Sequence, residues 1–135
     1  MVGARRAALW YTLEVPVFKN ILRDVVENTD GAIASILMGY DGITVESYSA
    51  GKATVDMETV GSEYSQVLNQ VKTAANMLDM GTAKEVSVQA ENLVTVMRLL
   101  NNEYFVALAI KPNGNIGKGR FLLRLQSGKL LENLT

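Results

Sequence analysis

The stretch GAIASILMGYDGITVESYS, residues 31–49, decides the fold class of this chain. It contains two β-rich runs, AIASILMGY and ITVESYS, which are joined at Asp41-Gly42. An Asp-Gly pair between two such runs is a strong signal for a β-hairpin, because these residues tolerate the positive φ of a tight turn. The stretch therefore predicts two neighbouring antiparallel strands.

Helical and extended patterns follow one another on both sides of this hairpin. A short apolar stripe with helical spacing follows Pro16, and a final helix is expected from about Ile116. Three further strands are predicted in KEVSVQAE (84–91), LVTVMRLL (93–100) and YFVALAI (104–110). The predicted fold is α+β in the order α-β-β-α-β-β-β-α. It has a five-stranded antiparallel sheet with one long helix on one face and two shorter helices on the other.

The long helix is predicted in METVGSEYSQVLNQVKTAANMLDMG, residues 57–81, with Gly81 as its terminator. Its apolar residues recur at helical spacing and are expected to face the core. They are Val60, Tyr64, Val67, Leu68, Val71, Ala74, Ala75 and Leu78. The domain plan is an N-terminal arm at residues 1–15 followed by a single domain at residues 16–135.

Composition excludes several classes of function. The 135 residues contain neither cysteine nor histidine, which removes disulfides, thiolate metal sites and the usual catalytic bases and nucleophiles. The formal net charge of −1 gives no electrostatic footprint for nucleic acid. We find no signal peptide and no apolar run long enough to span a membrane, so a cytoplasmic protein without cofactor or metal is expected.

The glycine-rich segment AIKPNGNIGKGRFLLR, residues 109–124, has the setting of a phosphate-binding loop but not its spacing. A Walker A loop requires a glycine where Pro112 stands and a hydroxyl residue where Gly119 stands. A structural role is favoured, in which Asn115 caps the last helix and the glycines allow close approach to the sheet. Lys118 and Arg120 then lie in the first helical turn, where they pair with a carboxylate, face an acidic partner or remain solvated.

Two surfaces are candidates for protein–protein contact. The predicted third strand alternates apolar and polar residues and carries few features that block an edge, so we expect it to pair with its copy in a second subunit. It comprises Lys84, Glu85, Val86, Ser87, Val88, Gln89, Ala90 and Glu91. The long helix also has a charge-poor polar face, which is typical of an interface, although an ordinary solvated face is the alternative. This face comprises Ser62, Ser65, Gln66, Asn69, Gln70 and Thr73.

The element order, the hairpin at residues 31–49 and the closing YFVALAIKPNGNIGKGRFLLR resemble the roadblock (dynein light-chain) family. The similarity covers about residues 17–134 and points to the MglB-type regulators of small Ras-like GTPases. It implies a homodimer that joins through the third strand and the long helix. It also implies a GTPase-activating protein or scaffold that positions the GTPase's own residues and has no catalytic group of its own. Gln66, Asn69 and Gln70 depart from the small apolar residues common in the family, so activator and scaffold both stay open.

Two other classes of function compete with this interpretation. Five-stranded sheets flanked by helices also form profilin-like and longin-like sensor domains, which would bind a small molecule in a closed apolar pocket. Ser35, Thr95 and Tyr104 are the polar residues placed to line such a pocket. An enzyme is the third class, and the sequence shows no nucleophile, base or metal set that would support it.

Overall fold

The computed structural model describes residues 17–51 and 55–134. Three helices and five strands follow in the predicted order. They are α1 (17–27), β1 (Ala32–Gly39), β2 (Thr44–Ser49), α2 (Met57–Met77), β3 (Glu85–Gln89), β4 (Val94–Leu99), β5 (Tyr104–Ile110) and α3 (Ile116–Leu134). The predicted arm, residues 1–15, lies outside the described residues.

The strands form one antiparallel sheet in the order β2-β1-β5-β4-β3. The hairpin predicted at Asp41-Gly42 is confirmed, with Gly42 at a φ of 87°. β1 and β5 occupy the centre, as expected for strands that are apolar on both faces, and β3 lies at an edge. β3 is shorter than predicted. Lys84 precedes it, and Ala90 and Glu91 follow it, because the Ala90 N–H already donates to the Leu93 carbonyl in the turn.

Each face of the sheet has its own apolar core. The first core lies between the sheet and the α1–α3 layer, and its larger members are Leu22, Leu37, Leu108, Ile110, Leu123 and Leu130. The second lies between the sheet and α2, and its larger members are Ile36, Met38, Met57, Leu68, Met97 and Phe105. The predicted arrangement of one long helix against two helices is confirmed, although α3 has 19 residues against 21 in α2.

The glycine-rich segment packs tightly, as the structural interpretation predicted. A Cβ built on Gly114 would lie 2.6 Å from the Asp30 carbonyl oxygen, and one built on Gly31 would lie 2.6 Å from the Cα of Gly114. Two backbone segments therefore meet here with no room for side chains. Asn115 caps α3 as expected, since its Oδ1 accepts the Lys118 N–H at 3.1 Å. The helix then continues through Gly128 to Leu134.

The long helix α2 differs from the prediction in which residues it buries. The fully buried positions are Met57, Gly61, Ser65 and Leu68, which recur every three or four residues along one side. Gly61 lies directly on β1, where an added Cβ would meet the sulfur of Met38 at 3.0 Å. The small residues let the helix approach the sheet closely, and this approach decides which side faces the core.

Three residues predicted for the buried stripe of α2 are therefore exposed. They are Val67, Ala74 and Leu78. The helix also ends at Met77 rather than at Gly81. Asp79 adopts the left-handed conformation at a φ of 60°, while the Leu78 N–H still donates to the Ala74 carbonyl. An aspartate can take this conformation at modest cost, so the helix stops before the predicted glycine.

Candidate partner-binding surface

Five of the six residues predicted for the polar interface lie together on the exposed side of α2. They are Ser62, Gln66, Asn69, Gln70 and Thr73, and we call them the polar face. Their spacing of three and four residues places them on one side of the helix. No carboxylate or cation belongs to the polar face.

Ser65 does not belong to this surface, and its assignment to the interface is wrong. It is only 3% exposed and lies on the side of α2 that packs against the sheet. Its position, three residues before Leu68 and four after Gly61, gives the reason. The hydroxyl is satisfied within the helix, where it donates to the Ser62 carbonyl at 2.7 Å.

The polar face borders the turn between β1 and β2. The Asn69 Nδ2 donates to the Tyr40 carbonyl at 3.1 Å, and Ser62 Oγ lies beside Gly42. The Thr73 hydroxyl donates a hydrogen bond to the Asn69 carbonyl at 3.0 Å. Gln66 and Gln70 are exposed at the centre of the surface. The ends of the polar face are thus anchored to the fold, and the two glutamines form its accessible part.

A second surface runs along another side of α2, and its side chains are apolar. Successive helical residues turn by about 100°, so Val67 and Asn69 project to opposite sides of the helix. Val67 is 41% exposed and Leu78 is 67% exposed. On β3, Val86 and Val88 project from the same face of the sheet that α2 covers, and both are half-buried. We call Val67, Val71, Ala74, Leu78, Val86 and Val88 together the apolar margin.

In the part of the chain that the structure describes, the edge strand β3 has one paired and one unpaired edge, and one of its faces contacts α3. Within the described residues it pairs only with β4, from Glu85 opposite Arg98 to Gln89 opposite Val94. Its other edge is not paired with any described strand. On the face away from α2, Glu85 Oε2 lies 2.9 Å from Nε of Arg120, so α3 supports the strand. Arg120 therefore has a carboxylate partner, one of the options left open by the sequence.

The polar residues considered for a sensor pocket do not converge. Ser35 and Thr95 are buried, but Ser35 faces α1, where its hydroxyl reaches the Leu22 carbonyl at 3.3 Å. Thr95 lies on the face that α2 covers, as its pairing with Ala109 shows. Tyr104 lines an open cleft at one end of the sheet. Among the described residues, no cluster of three or more acidic side chains is placed to hold a metal ion.

Comparison with solved structures identifies the fold. The structure of the gliding protein MglB from Thermus thermophilus superimposes with a TM-score of 0.80 over 89% of this chain and 90% of that one, at 16% identity. A roadblock/LC7 domain from Streptomyces avermitilis gives a TM-score of 0.74 at 10% identity, over 84% and 94% of the two chains. At these identities the likeness concerns the fold alone.

A third structure decides the family. MglC from Myxococcus xanthus is 41% identical over 84% of this chain and 96% of its own, with a TM-score of 0.62. The chain belongs to the roadblock/LC7 family. No family model matches this roadblock chain, and no curated protein matches it in a sequence search. The resemblance inferred from the hairpin and the closing segment is thereby confirmed.

The roadblock fold accounts for the placement of both surfaces described above. The apolar margin comprises residues of α2 and of the edge strand β3 on the same face of the sheet, whereas the polar face lies toward the β1–β2 turn. Within the described ranges, no helix of this roadblock domain is both long enough and apolar enough to cross a bilayer.

Proposed function

We propose that this roadblock domain is a homodimeric regulator or scaffold for a small Ras-like GTPase. The apolar margin beside the unpaired edge of β3 is the observation that carries this proposal. The proposal is supported by the family of the chain, whose structural neighbours include gliding proteins of the MglB and MglC type.

The dimer follows from the apolar margin. An unpaired strand edge beside exposed aliphatic side chains is a hazard for a single chain, and pairing with a second copy removes both exposures. Under a two-fold axis β3 pairs with its copy in antiparallel register, and the two α2 helices pack along Val67 and Leu78. The half-buried Val86 and Val88 complete this contact, because they lie on the same face of the sheet as α2.

The polar face is assigned to the GTPase. Ser62, Gln66, Asn69 and Thr73 lie about 100° or more around α2 from Val67, so this part of the polar face stays accessible when the apolar margin is covered. A surface of amides and hydroxyls without charges forms directional hydrogen bonds at little desolvation cost. Regulation then occurs by differential binding, in which the dimer stabilises one arrangement of the GTPase switch regions. Both an activator and a scaffold operate in this way.

The dimer is tested by Val67→Asp with Gln66→Asp as its matched control. The two positions are adjacent in sequence and both exposed, so neither change disturbs the core. In analytical ultracentrifugation we expect twice the chain mass for the wild type and for Gln66→Asp, and a single chain mass for Val67→Asp. A wild-type protein that sediments as a single chain would overturn the dimer. A Val67→Asp protein that remains dimeric would show that the apolar margin is not the interface.

The partner site is tested by the double change Gln66→Arg and Thr73→Arg, since both residues are exposed and lie about 100° or more around α2 from Val67. Calorimetry measures binding to a candidate Ras-like GTPase that is loaded in turn with GDP and a non-hydrolysable GTP analogue. The variant should bind at least about tenfold more weakly than the wild type, a loss of about 1.4 kcal/mol in binding free energy. Sedimentation should remain that of a dimer, which separates this effect from loss of assembly. Unchanged affinity would reject the polar face as the binding site. GTP hydrolysis with and without the dimer distinguishes an activator from a scaffold.

A further inference from the structure

An open cleft of about 430 Å³ lies at one end of the sheet. It lies between the β1–β2 turn and the β4–β5 turn, and it shares no residue with either surface assigned above. Its lining residues are Gly39, Tyr40, Asp41, Ile43, Val45, Asn102, Glu103 and Tyr104. The volume falls in the range of roughly 300–1,000 Å³ that is typical of binding sites in proteins.

The cleft combines apolar walls with an acidic rim. Ile43 is 66% exposed and Val45 is 39% exposed, although both are large aliphatic side chains. Asp41 and Glu103 are the charged residues of the lining, and both are exposed carboxylates. Asp41 is held in place because its Oδ1 accepts the Ile43 N–H at 3.0 Å. The cleft is therefore complementary to a group that is both aliphatic and cationic.

Tyr40 is a largely buried member of this lining. The residue is only 8% exposed, and its ring stacks on Phe105 with the ring centroids 5.5 Å apart. Its hydroxyl has no hydrogen-bond partner among the described residues. A buried hydroxyl that lacks a partner costs about 1–3 kcal/mol, and because this oxygen is shielded from solvent it takes no part in the ligand contacts proposed below.

The neighbouring edge strand indicates the form of the ligand. β2 pairs only with β1 in the described sheet, so one row of its backbone N–H and C=O groups faces outward beside Val45. Extended peptides bind such edges by strand addition and place alternate side chains in adjacent pockets. The cleft is open rather than enclosed, which suits a peptide better than a small molecule that must be largely buried.

We propose that this cleft binds an extended segment of a partner protein in which a basic and an aliphatic residue stand two positions apart, so that both point to the same side. The basic side chain pairs with Asp41 and Glu103, and the aliphatic side chain covers Ile43 and Val45. The site uses no residue of the apolar margin or the polar face, although it borders the polar face through the hydrogen bond between Asn69 and Tyr40. It gives the domain a second attachment point at the end of the sheet.

The test uses the full chain labelled with ¹⁵N and two acetylated octapeptides. The Arg-Leu peptide is Ser-Arg-Ser-Leu-Ser-Arg-Ser-Leu, which places Arg and Leu on the same side of an extended chain, and the Glu-Leu peptide has Glu in place of Arg. We expect the Arg-Leu peptide to shift backbone signals of residues 39–45 and 102–104. The Glu-Leu peptide should shift none of them. Shifts centred on other residues, or equal binding of both peptides, would overturn the proposal.

Matched variants then test how much the two carboxylates contribute to the affinity for the Arg-Leu peptide. Asp41→Asn keeps the acceptor for the Ile43 N–H while removing the charge, and Glu103→Gln is equally conservative. Together they should weaken binding of the Arg-Leu peptide by about tenfold, as expected for the loss of two exposed charge contacts. Glu91→Gln, which lies in the β3–β4 turn at the other end of the sheet, should leave the affinity unchanged. Equal weakening by Glu91→Gln would indicate general charge attraction and overturn the site.

Ile43→Ser tests the apolar wall and should also weaken peptide binding several-fold, because it removes the aliphatic surface that the peptide covers. The fold should be unaffected, since the Ile43 side chain is exposed and lies outside the core. If this change has no effect, the aliphatic contact is absent and the proposal fails. If the charge variants instead alter the sedimenting mass of the protein, a second copy of the chain occupies the cleft. That result would also overturn the proposal, while loss of the dimer through Val67→Asp would leave it intact.

Discussion

Nε of Arg120 lies 2.9 Å from Oε2 of Glu85, and this contact ties the first turn of α3 to the edge strand β3. The Nε–H does not point along the line between the two atoms, so the contact is an ion pair without an aligned hydrogen bond. Arg120 Nη2 also reaches Ser87 Oγ at 3.4 Å, and Arg98 lies 3.9 Å from the other oxygen of Glu85. The face of β3 away from α2 is therefore fastened by contacts from both α3 and β4.

Replacing Arg120 by Met should lower the free energy of unfolding by about 0.5–1 kcal/mol, the value of a partly exposed ion pair with good contact. The loss should shrink in high salt, because screening weakens the wild-type interaction. Urea denaturation at low and high ionic strength measures both effects.

Lys118→Met is the matched control for this prediction, since Lys118 is exposed in the same helical turn. Its removal should change stability by no more than about 0.5 kcal/mol. It should stabilise slightly if anything, because a cation is disfavoured at a helix N-terminus. Equal losses from the two changes would contradict a specific role for the pair with Glu85.

Two glycines in α3 should respond in opposite directions to alanine. A Cβ on Gly119 would lie 2.8 Å from Ile110 Cδ1 and 2.9 Å from Leu108 Cδ2, so Gly119→Ala should destabilise by about 1–3 kcal/mol through overpacking. Gly128 has no atom within 4 Å of the same position, and Gly128→Ala should stabilise by about 0.5–1 kcal/mol through helix propensity. Thermal unfolding of both variants measures the difference. A stabilising Gly119→Ala would show that the helix does not press on the sheet at this point.

Burial raises the pKa of the Tyr40 hydroxyl to about 12. The folded state then retains this proton at pH values where the unfolded chain, with its ordinary pKa near 10, has lost it. Stability from this group is complete below pH 10 and is lost as pH rises through 12, by about 3 kcal/mol in all. Tyr40→Phe should remove this pH dependence, which denaturation curves between about pH 9 and 12 would show.

At neutral pH, Tyr40→Phe should leave stability unchanged or raise it by about 1 kcal/mol, because it deletes a buried hydroxyl without a described partner. The Lys72 ammonium lies 3.6 Å from the centroid of the Tyr40 ring, and this cation–π contact is kept when the ring becomes that of Phe. A large destabilisation would show that the hydroxyl has a partner, such as an ordered water.

Much of the fold could be predicted because its signals are local. The hairpin at Asp41-Gly42 and the cap at Asn115 depend on residues within a few positions of each other. The Ser65 error has a different origin. Ser65 and Gln66 are adjacent polar residues, and only contact with the sheet buries one and exposes the other.

The amino-acid sequence by itself determined the order of the elements, the antiparallel sheet and the absence of histidine and cysteine chemistry. Periodicity and turn residues act over short distances along the chain, so they can be recognised without knowing the packing. The tertiary structure alone decided which side of α2 is buried. Gly61 and Ser65 allow the helix to lie close to β1, and this approach leaves Val67 and Leu78 exposed.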